Sequence, residues 1–274
     1  MVGTCRRTDQ HREDTVNWLR ALAFNVVFFA WTAVIGTLGL PVLCAPRAAT
    51  MRFSRFWARS VLTFLRVIVG LDHKICGLDR IPRGGCIIAM KHQSTWDTLI
   101  LPVVLADPAI VLKRELVFLP LYGWYAARAG AIAIDRKAGA TALRKMVARA
   151  QAVAAQGRPI VIFPEGTRVA PRAHLPYQPG VAALYQMLGL PLVPAALNSG
   201  LFWGRRSFLK RRGRITLEFL EPIPPGWPRR HLMAELERRI EAATDALLRE
   251  GAAQNELTFP SADPGAQDRK AAQA

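Results

Sequence analysis

Residues 21–45, ALAFNVVFFAWTAVIGTLGLPVLCA, run for 25 positions without one charged side chain. As a helix, about 20 such residues cross the hydrocarbon core of a bilayer. The stretch therefore restricts the chain to folds that either hide a long apolar helix or give it to lipid. It does not read as a cleavable signal: the segment before it is long and mixed in charge, the apolar run is too long, and no clear A-x-A site follows. A second segment, FWARSVLTFLRVIVGL at 56–71, is apolar apart from Arg59, Ser60, Thr63 and Arg66. Arg59 and Arg66 are seven positions apart and share a helical face, which suits a helix lying in the membrane plane with its arginines at headgroup level. Basic residues flank the first segment on both sides, Arg6, Arg7, Arg12 and Arg20 before it and Arg47, Arg52 and Arg55 after it. Positive residues favour the cytoplasmic side. One full span and a pair of helices dipping into one leaflet both fit, and basic flanks at both ends favour the dip. A buried core helix is the remaining alternative.

Lysine and arginine number 37 against 20 acids, a formal charge of +17. That excess implies anionic partners: nucleic acid, an anionic membrane surface or phosphorylated substrates. The cysteines, Cys5, Cys44, Cys76 and Cys86, show no C-x-x-C or paired His/Cys spacing, so neither a metal site nor a disulfide framework is indicated and a reducing compartment is the simpler reading.

Beyond residue 72 short β-rich runs alternate with helical ones. Strands are expected at 73–77, 86–90, 110–112, 131–134, 160–163, 192–196 and 215–219, and helices at 96–105, 119–128, 138–155, 181–188 and 229–249. This pattern predicts one α/β domain over 72–250, a mostly buried mixed sheet flanked by helices. It is preceded by a polar segment, 1–20, and a membrane-associated helical element, 21–71. The tail 251–274 is rich in Ala, Gln, Pro and Asp and is expected to be disordered.

KHQSTWD, residues 91–97, follows the apolar run 86–90 directly. In one helix His92 and Asp97 would be about 500° apart and would not share a face. With Ser94 or Thr95 as N-cap and Trp96 opening a helix, His92 lies in the loop before the cap and Asp97 in the first turn. The loop can then fold the imidazole over that turn, so that Asp97 accepts the Nδ1 proton and leaves Nε2 as a base. Capping and the helix dipole alone would also account for an acid at this position. FPEGTR, residues 163–168, ends another apolar run with a carboxylate, a flexible backbone and an arginine whose fork suits phosphate. Ligands of α/β sheets usually bind at such strand ends.

These stretches together resemble the glycerolipid acyltransferases, specifically their lysophosphatidic acid acyltransferase group. KHQSTWD is similar to that family's H-x4-D motif, and FPEGTR to its third motif. KRELVFLPLYGW at 113–124, followed by GAIAIDR with Asp135 and Arg136, is similar to its second block, and VPAALNSG at 193–200 to its fourth. The four occur in the family's order. One departure is Val169-Ala170-Pro171 after the arginine, where many members have serine.

The resemblance implies transfer of a fatty acyl group from a thioester, acyl-CoA or acyl carrier protein, to the sn-2 hydroxyl of lysophosphatidic acid. No covalent acyl-enzyme is needed, and no G-x-S-x-G elbow is present. His92 would be the general base and Asp97 its orienting partner. Lys113, Arg136 and Arg168 would receive the acceptor's phosphate, with Glu165, Gly166 and Thr167 completing the substrate loop and its amides offered to the oxyanion. No metal and no cofactor are implied beyond the thioester co-substrate. Partners would be the lipid acceptor, the donor and a phospholipid surface. Since thioester donors are cytosolic, the domain is expected on the cytoplasmic face of the membrane.

RRSFLKRRGR, residues 205–214, carries six basic residues around Phe208 and Leu209. No nucleic-acid motif accompanies it, so anionic headgroups or an acidic carrier protein are the expected targets. His11, His73, His174 and His231 lack an acid-bearing motif and read as structural or surface residues. Rival readings are another acceptor (lyso-ornithine lipid, lysophosphatidylcholine or glycerol 3-phosphate), a lipid hydrolase in which His92 activates water, and a non-catalytic lipid-binding protein.

Overall fold

The structure is a computed structural model describing residues 3–135 and 139–255. Helix α1, Gly3–Leu38, and helix α2, Arg47–Phe64, form an antiparallel hairpin closed by a tight turn, Leu40–Cys44. Trp31 Nε1 donates to Ser60 Oγ at 2.7 Å and Trp57 Nε1 to Thr32 Oγ1 at 3.1 Å, which pins the two helices side by side. The reversal needs a glycine at 39, because a Cβ there would lie 2.2 Å from the Phe53 ring.

Seven strands follow: β1 Leu71–Cys76, β2 Ile87–Met90, β3 Ala109–Lys113, β4 Ile132–Ile134, β5 Ile160–Ile162, β6 Leu192–Leu197 and β7 Gly213–Phe219. They form a mixed sheet in the order β1-β7-β6-β2-β5-β3-β4, in which only the β6–β7 pair is antiparallel. Between the strands run α3 Trp96–Val104, α4 Arg114–Val117, α5 Tyr122–Arg128, α6 Gly139–Ala154 and α7 Gly180–Leu188, with α8 Arg229–Gln254 last. Successive side chains of a strand point to opposite faces. Accordingly Ile88 and Met90 of β2 pack with the α1–α3 side, whereas Ile87 and Ala89 pack with α6, α7 and α8. Both faces are covered, which is why the strands read as continuous apolar runs.

Three sequence expectations change. The helix expected over 119–128 begins only at Tyr122, as α5, because Pro120 and Leu121, the latter at φ 62°, turn the chain just before it, and the short α4 ahead of that turn is not among the expected helices. The last helix runs on to Gln254, since Gly251 and Ala252 are buried and Gly251 packs against Asn198; the expected tail beyond 255 lies outside the described residues. Two of the arginines after the first apolar segment are engaged by the α/β domain. Arg55 caps the end of α3 through the carbonyls of Pro102 and Ala106, and Arg47 pairs with Asp107 at 3.0 Å.

Candidate active site

β2, β5, β3 and β6 are mutually parallel neighbours, so their C-terminal ends share one edge of the sheet. His92 follows β2, the FPEGTR turn follows β5, Lys113 closes β3, and Asn198 and Ser199 follow β6. Four separate motifs therefore converge on the edge where open α/β sheets place their ligands.

Asp97 organises the first of them. Its carboxylate is wholly buried and accepts four hydrogen bonds. Oδ2 takes His92 Nδ1 at 2.8 Å and the backbone N–H groups of Gln93 and Ser94 at 2.7 and 2.8 Å. Oδ1 takes the Ser199 hydroxyl at 2.6 Å. Asp97 thus wraps the 92–94 loop around itself, and the same carboxylate that closes the loop also holds the imidazole. A carboxylate offers acceptors enough for the two backbone N–H groups, the Ser199 hydroxyl and the ring nitrogen of His92 as a fourth. The ring is 12% exposed and stacked on Phe163, centroids 4.0 Å apart, which fixes its plane. Ser94 Oγ accepts the Trp96 N–H at 3.1 Å, so serine serves the start of α3 from one residue before its cap position, Thr95.

A second polar cluster lies beneath. Lys91 is 1% exposed, and its Nζ reaches Glu165 Oε1 at 2.6 Å and both oxygens of Glu241 on α8 at 2.8 Å. Glu241 also accepts from the Tyr177 hydroxyl at 2.8 Å and sits 3.0 Å from His174 Nδ1. Two carboxylates share one buried ammonium, Glu165 from inside and Glu241 from a partly exposed position. Burial outweighs the attraction of Lys91 and pushes the Glu165 carboxyl up to about 7, and the nearby Glu241 adds to the rise. Burial and the Glu241 carboxylate likewise push the Tyr177 phenol up.

The FPEGTR turn is locked to the His92 loop by Val169 N–H donating to the His92 carbonyl at 2.8 Å. Gly166, at φ 70°, donates its own N–H to the Phe163 carbonyl at 2.9 Å. That amide is spent inside the turn, which removes Gly166 from the expected oxyanion donors. The Glu165 side chain has no exposed surface; Oε1 ties the turn to Lys91, while Oε2 is buried without a hydrogen-bond partner among the described residues. Thr167 and Arg168 are half-buried, and among the described residues the Arg168 guanidinium makes no hydrogen bond or ion pair. Burial pushes the Tyr122 hydroxyl up, and the Arg168 charge partly opposes that rise. Lys113 is exposed two strands from β2, about 10 Å across the sheet. Arg136 lies outside the described residues.

An apolar cavity of about 300 Å³ opens beside these loops. Phe28 and Gly36 of α1, Phe53 and Trp57 of α2, Thr98 of α3 and Tyr125 of α5 contribute to its wall. Thr95 and Tyr122 also line it, so the cavity extends from the start of α3, three residues after His92, to the helical hairpin.

A family model described as acyltransferase matches residues 72–198. The 1-acyl-sn-glycerol-3-phosphate acyltransferase of Pseudomonas aeruginosa is 34% identical over 232 residues, which cover 83% of this chain and 90% of that protein. This chain belongs to the acyltransferase family. The human 1-acyl-sn-glycerol-3-phosphate acyltransferase alpha is 28% identical over 205 residues, 73% of this chain and 72% of its own length. Among solved structures, the 1-acyl-sn-glycerophosphate acyltransferase of Thermotoga maritima shares the fold with a TM-score of 0.69 at 20% identity, over 84% of this chain and 97% of that one.

The acyltransferase thus brings His92, Asp97 and the turn bearing Arg168 together, and leaves Lys113 at the rim. Sequence reasoning assigned no role to Ser199, Lys91, Glu241 or Phe163. Ser199 and Lys91 carried a usable signal, a polar residue at the end of a wholly buried apolar run on the same sheet edge. Glu241 and Phe163 carried none, since an acid on a charged helix and a phenylalanine ending a strand are both commonplace.

Proposed function

We propose that this acyltransferase moves a fatty acyl group from a thioester, acyl-CoA or acyl carrier protein, to the sn-2 hydroxyl of lysophosphatidic acid. The names of its relatives support that acceptor. The observation that supports the mechanism is the fourfold contact of the buried Asp97 carboxylate with His92 Nδ1, two backbone N–H groups and Ser199, an arrangement suited to His92 carrying its proton on Nδ1 and offering Nε2 as the base. Nε2 takes the hydroxyl proton as the oxygen attacks the thioester carbonyl; the C–S bond then breaks and the departing thiolate recovers the proton. General-base help of this kind is worth about 10²–10⁴-fold in rate. The apolar cavity suits an acyl chain, which needs contact area and no polar partner. Arg168, Lys113 and Arg136 supply positive charge for the acceptor's phosphate.

The reading includes attachment to one membrane leaflet. Thr15–Leu38 is long and apolar enough to cross a bilayer, and most of its apolar core is not buried in the protein. Yet α1 touches the α/β domain from Trp18, against Phe208, to Gly36, whose carbonyl accepts from Tyr125. Those contacts span about 27 Å of helix at 1.5 Å per residue. A perpendicular α1 would sink the adjoining domain through a hydrocarbon layer about 30 Å thick. An in-plane α1 avoids that, with its exposed Val26, Phe29 and Val34 in lipid and the domain at the cytoplasmic surface, where thioester donors are found.

The test is thiol release from acyl-CoA by purified protein, with lysophosphatidic acid, glycerol 3-phosphate, lysophosphatidylcholine or no acceptor. Release that requires lysophosphatidic acid and collapses in His92→Ala is expected. Release without acceptor would make the protein a hydrolase, and acceptor-dependent release that survives His92→Ala would overturn the base assignment.

A further inference from the structure

The basic stretch 205–214 does not behave as a solvated hairpin edge. It forms a loop ahead of β7, and its central lysine is inside the protein. Lys210 Nζ donates to Asn25 Oδ1 on α1 at 2.5 Å and to the Phe208 carbonyl at 2.9 Å. It also sits over the rings of Phe24, Trp203 and Phe208 at 5.6, 5.1 and 5.8 Å. Asn25 Nδ2 returns a hydrogen bond to the Phe208 carbonyl at 3.2 Å, and the Phe208 ring meets Trp18 at 5.9 Å. Burial among these rings pushes the Lys210 ammonium down to about 8. The loop is therefore riveted to α1 and moves with it.

What the rivet displays is a mixed surface. Phe208 and Leu209 are exposed, continuous with the exposed apolar side chains Trp18, Leu19 and Leu22 of α1. Arg206, Arg211 and Arg212 surround them, exposed, and among the described residues their guanidiniums make no hydrogen bond or ion pair. On the inner side, Arg205 Nη1 donates to the Arg168 carbonyl at 3.4 Å, so the loop also touches the FPEGTR turn.

We propose that this loop is a second membrane-docking element, in which Arg206, Arg211 and Arg212 take the headgroups of anionic phospholipids while Phe208 and Leu209 enter the interface beside Trp18. The inference rests on the in-plane reading of α1. Through the Trp18–Phe208 contact this patch continues the exposed apolar side of α1, so a lipid surface is the one partner that can cover both. Aromatic and basic side chains together at the end of an apolar face are the pattern of a membrane interface. Each guanidinium near an anionic surface strengthens binding by roughly fivefold, so three give on the order of 100-fold. Docking here seats the acceptor turn against the surface from which a lysolipid is drawn.

The experiment uses the full chain and sedimentation with vesicles of phosphatidylcholine alone or with phosphatidylglycerol added, at low and high salt. The wild type is expected to bind the anionic vesicles more tightly, with the gain lost at high salt. The triple variant Arg206→Gln, Arg211→Gln, Arg212→Gln is expected to lose most of that gain, on the order of 10- to 100-fold, and to bind neutral vesicles as before. Phe208→Ser with Leu209→Ser is expected to weaken binding to both vesicle types. Acyl transfer in neutral detergent micelles should be unchanged in the triple variant, which also shows that it has folded. No activity in the wild type under those conditions would count against the acyltransferase reading and leave the docking assay standing. Equal binding of wild type to both vesicle types would overturn the proposal. So would a triple variant that keeps its vesicle binding but loses the use of an acyl carrier protein donor, since that would assign the loop to a protein partner.

Discussion

Replacing Lys91 by methionine removes an ammonium while keeping a long apolar stem. Its two carboxylate partners, Glu165 and Glu241, then remain in a site where Lys91 was 1% exposed and Glu165 has no exposed surface. Breaking a buried pair by deleting one member costs about 3–5 kcal/mol. For a domain of this size that is a fall in Tm on the order of 10 °C. The pH dependence has a definite sign. Glu165 sits at about 7 in the folded protein against 4.5 as a free side chain, so the folded state holds its proton more tightly. A raised carboxyl contributes stability below the unfolded value, and that contribution is lost as pH rises through the folded value. Without Lys91, which holds the carboxyl down, Glu165 is pushed higher still. At pH 8.5 the variant must either bury two uncompensated carboxylates or hold a proton against the solvent. At pH 5.5 Glu165 is neutral in both proteins and needs the ammonium much less. Tyr177 and His174, both through Glu241, and the His92 backbone also face it. Thermal unfolding in detergent, followed by near-ultraviolet circular dichroism at both pH values, is the assay. The loss of Tm in Lys91→Met should be large at pH 8.5 and about half as large at pH 5.5. An equal loss at both, a larger loss in acid, or no loss at pH 8.5 would refute the reasoning.

Ser199→Ala deletes a hydrogen bond to the Asp97 carboxylate, worth about 1.5–3 kcal/mol; kcat/KM for acyl transfer should fall about 10- to 100-fold with the fold retained by circular dichroism. Arg168→Ala should raise KM for lysophosphatidic acid and leave a phosphate-free lysolipid unaffected, and Arg168→Lys should recover only part of the loss, because lysine lacks the fork; initial rates with the two acceptors decide it. Thr98→Trp places a large ring in the apolar cavity. It should slow long-chain acyl-CoA donors at least about tenfold more than a four-carbon donor in competition assays, since overpacking removes room that a short chain does not use.

The strands were readable because each is a short apolar run ended by a polar motif, and a sheet covered on both faces demands that pattern. The His92–Asp97 contact was readable because only a loop-then-helix path brings positions five apart together. What the one-dimensional pattern could not show is contact across the sheet. Ser199 reaches Asp97 from a strand synthesised long after it, and Glu241 reaches Lys91 from the last helix. Lys210 shows the opposite failure: six charges in ten residues read as a patch for an anionic partner, and only the packing of α1 shows that one of them is enclosed by aromatic rings. The late start of α5 is signalled by Pro120, which an apolar pattern continuing through 119–121 obscures.

The bond from Ser199 to Asp97 spans 102 residues of chain. Both neighbours of β2 in the sheet, β5 and β6, are also translated after the strand that carries His92. At about 5–20 residues per second, a ribosome exposes the histidine and its aspartate roughly 5–20 s before the serine that completes their hydrogen-bonding. During that interval the chain holds the sequence of a base and none of its architecture. On the proposed mechanism an unfinished polypeptide would not yet consume its acyl donor, and the appearance of activity during synthesis would time the closure of the sheet.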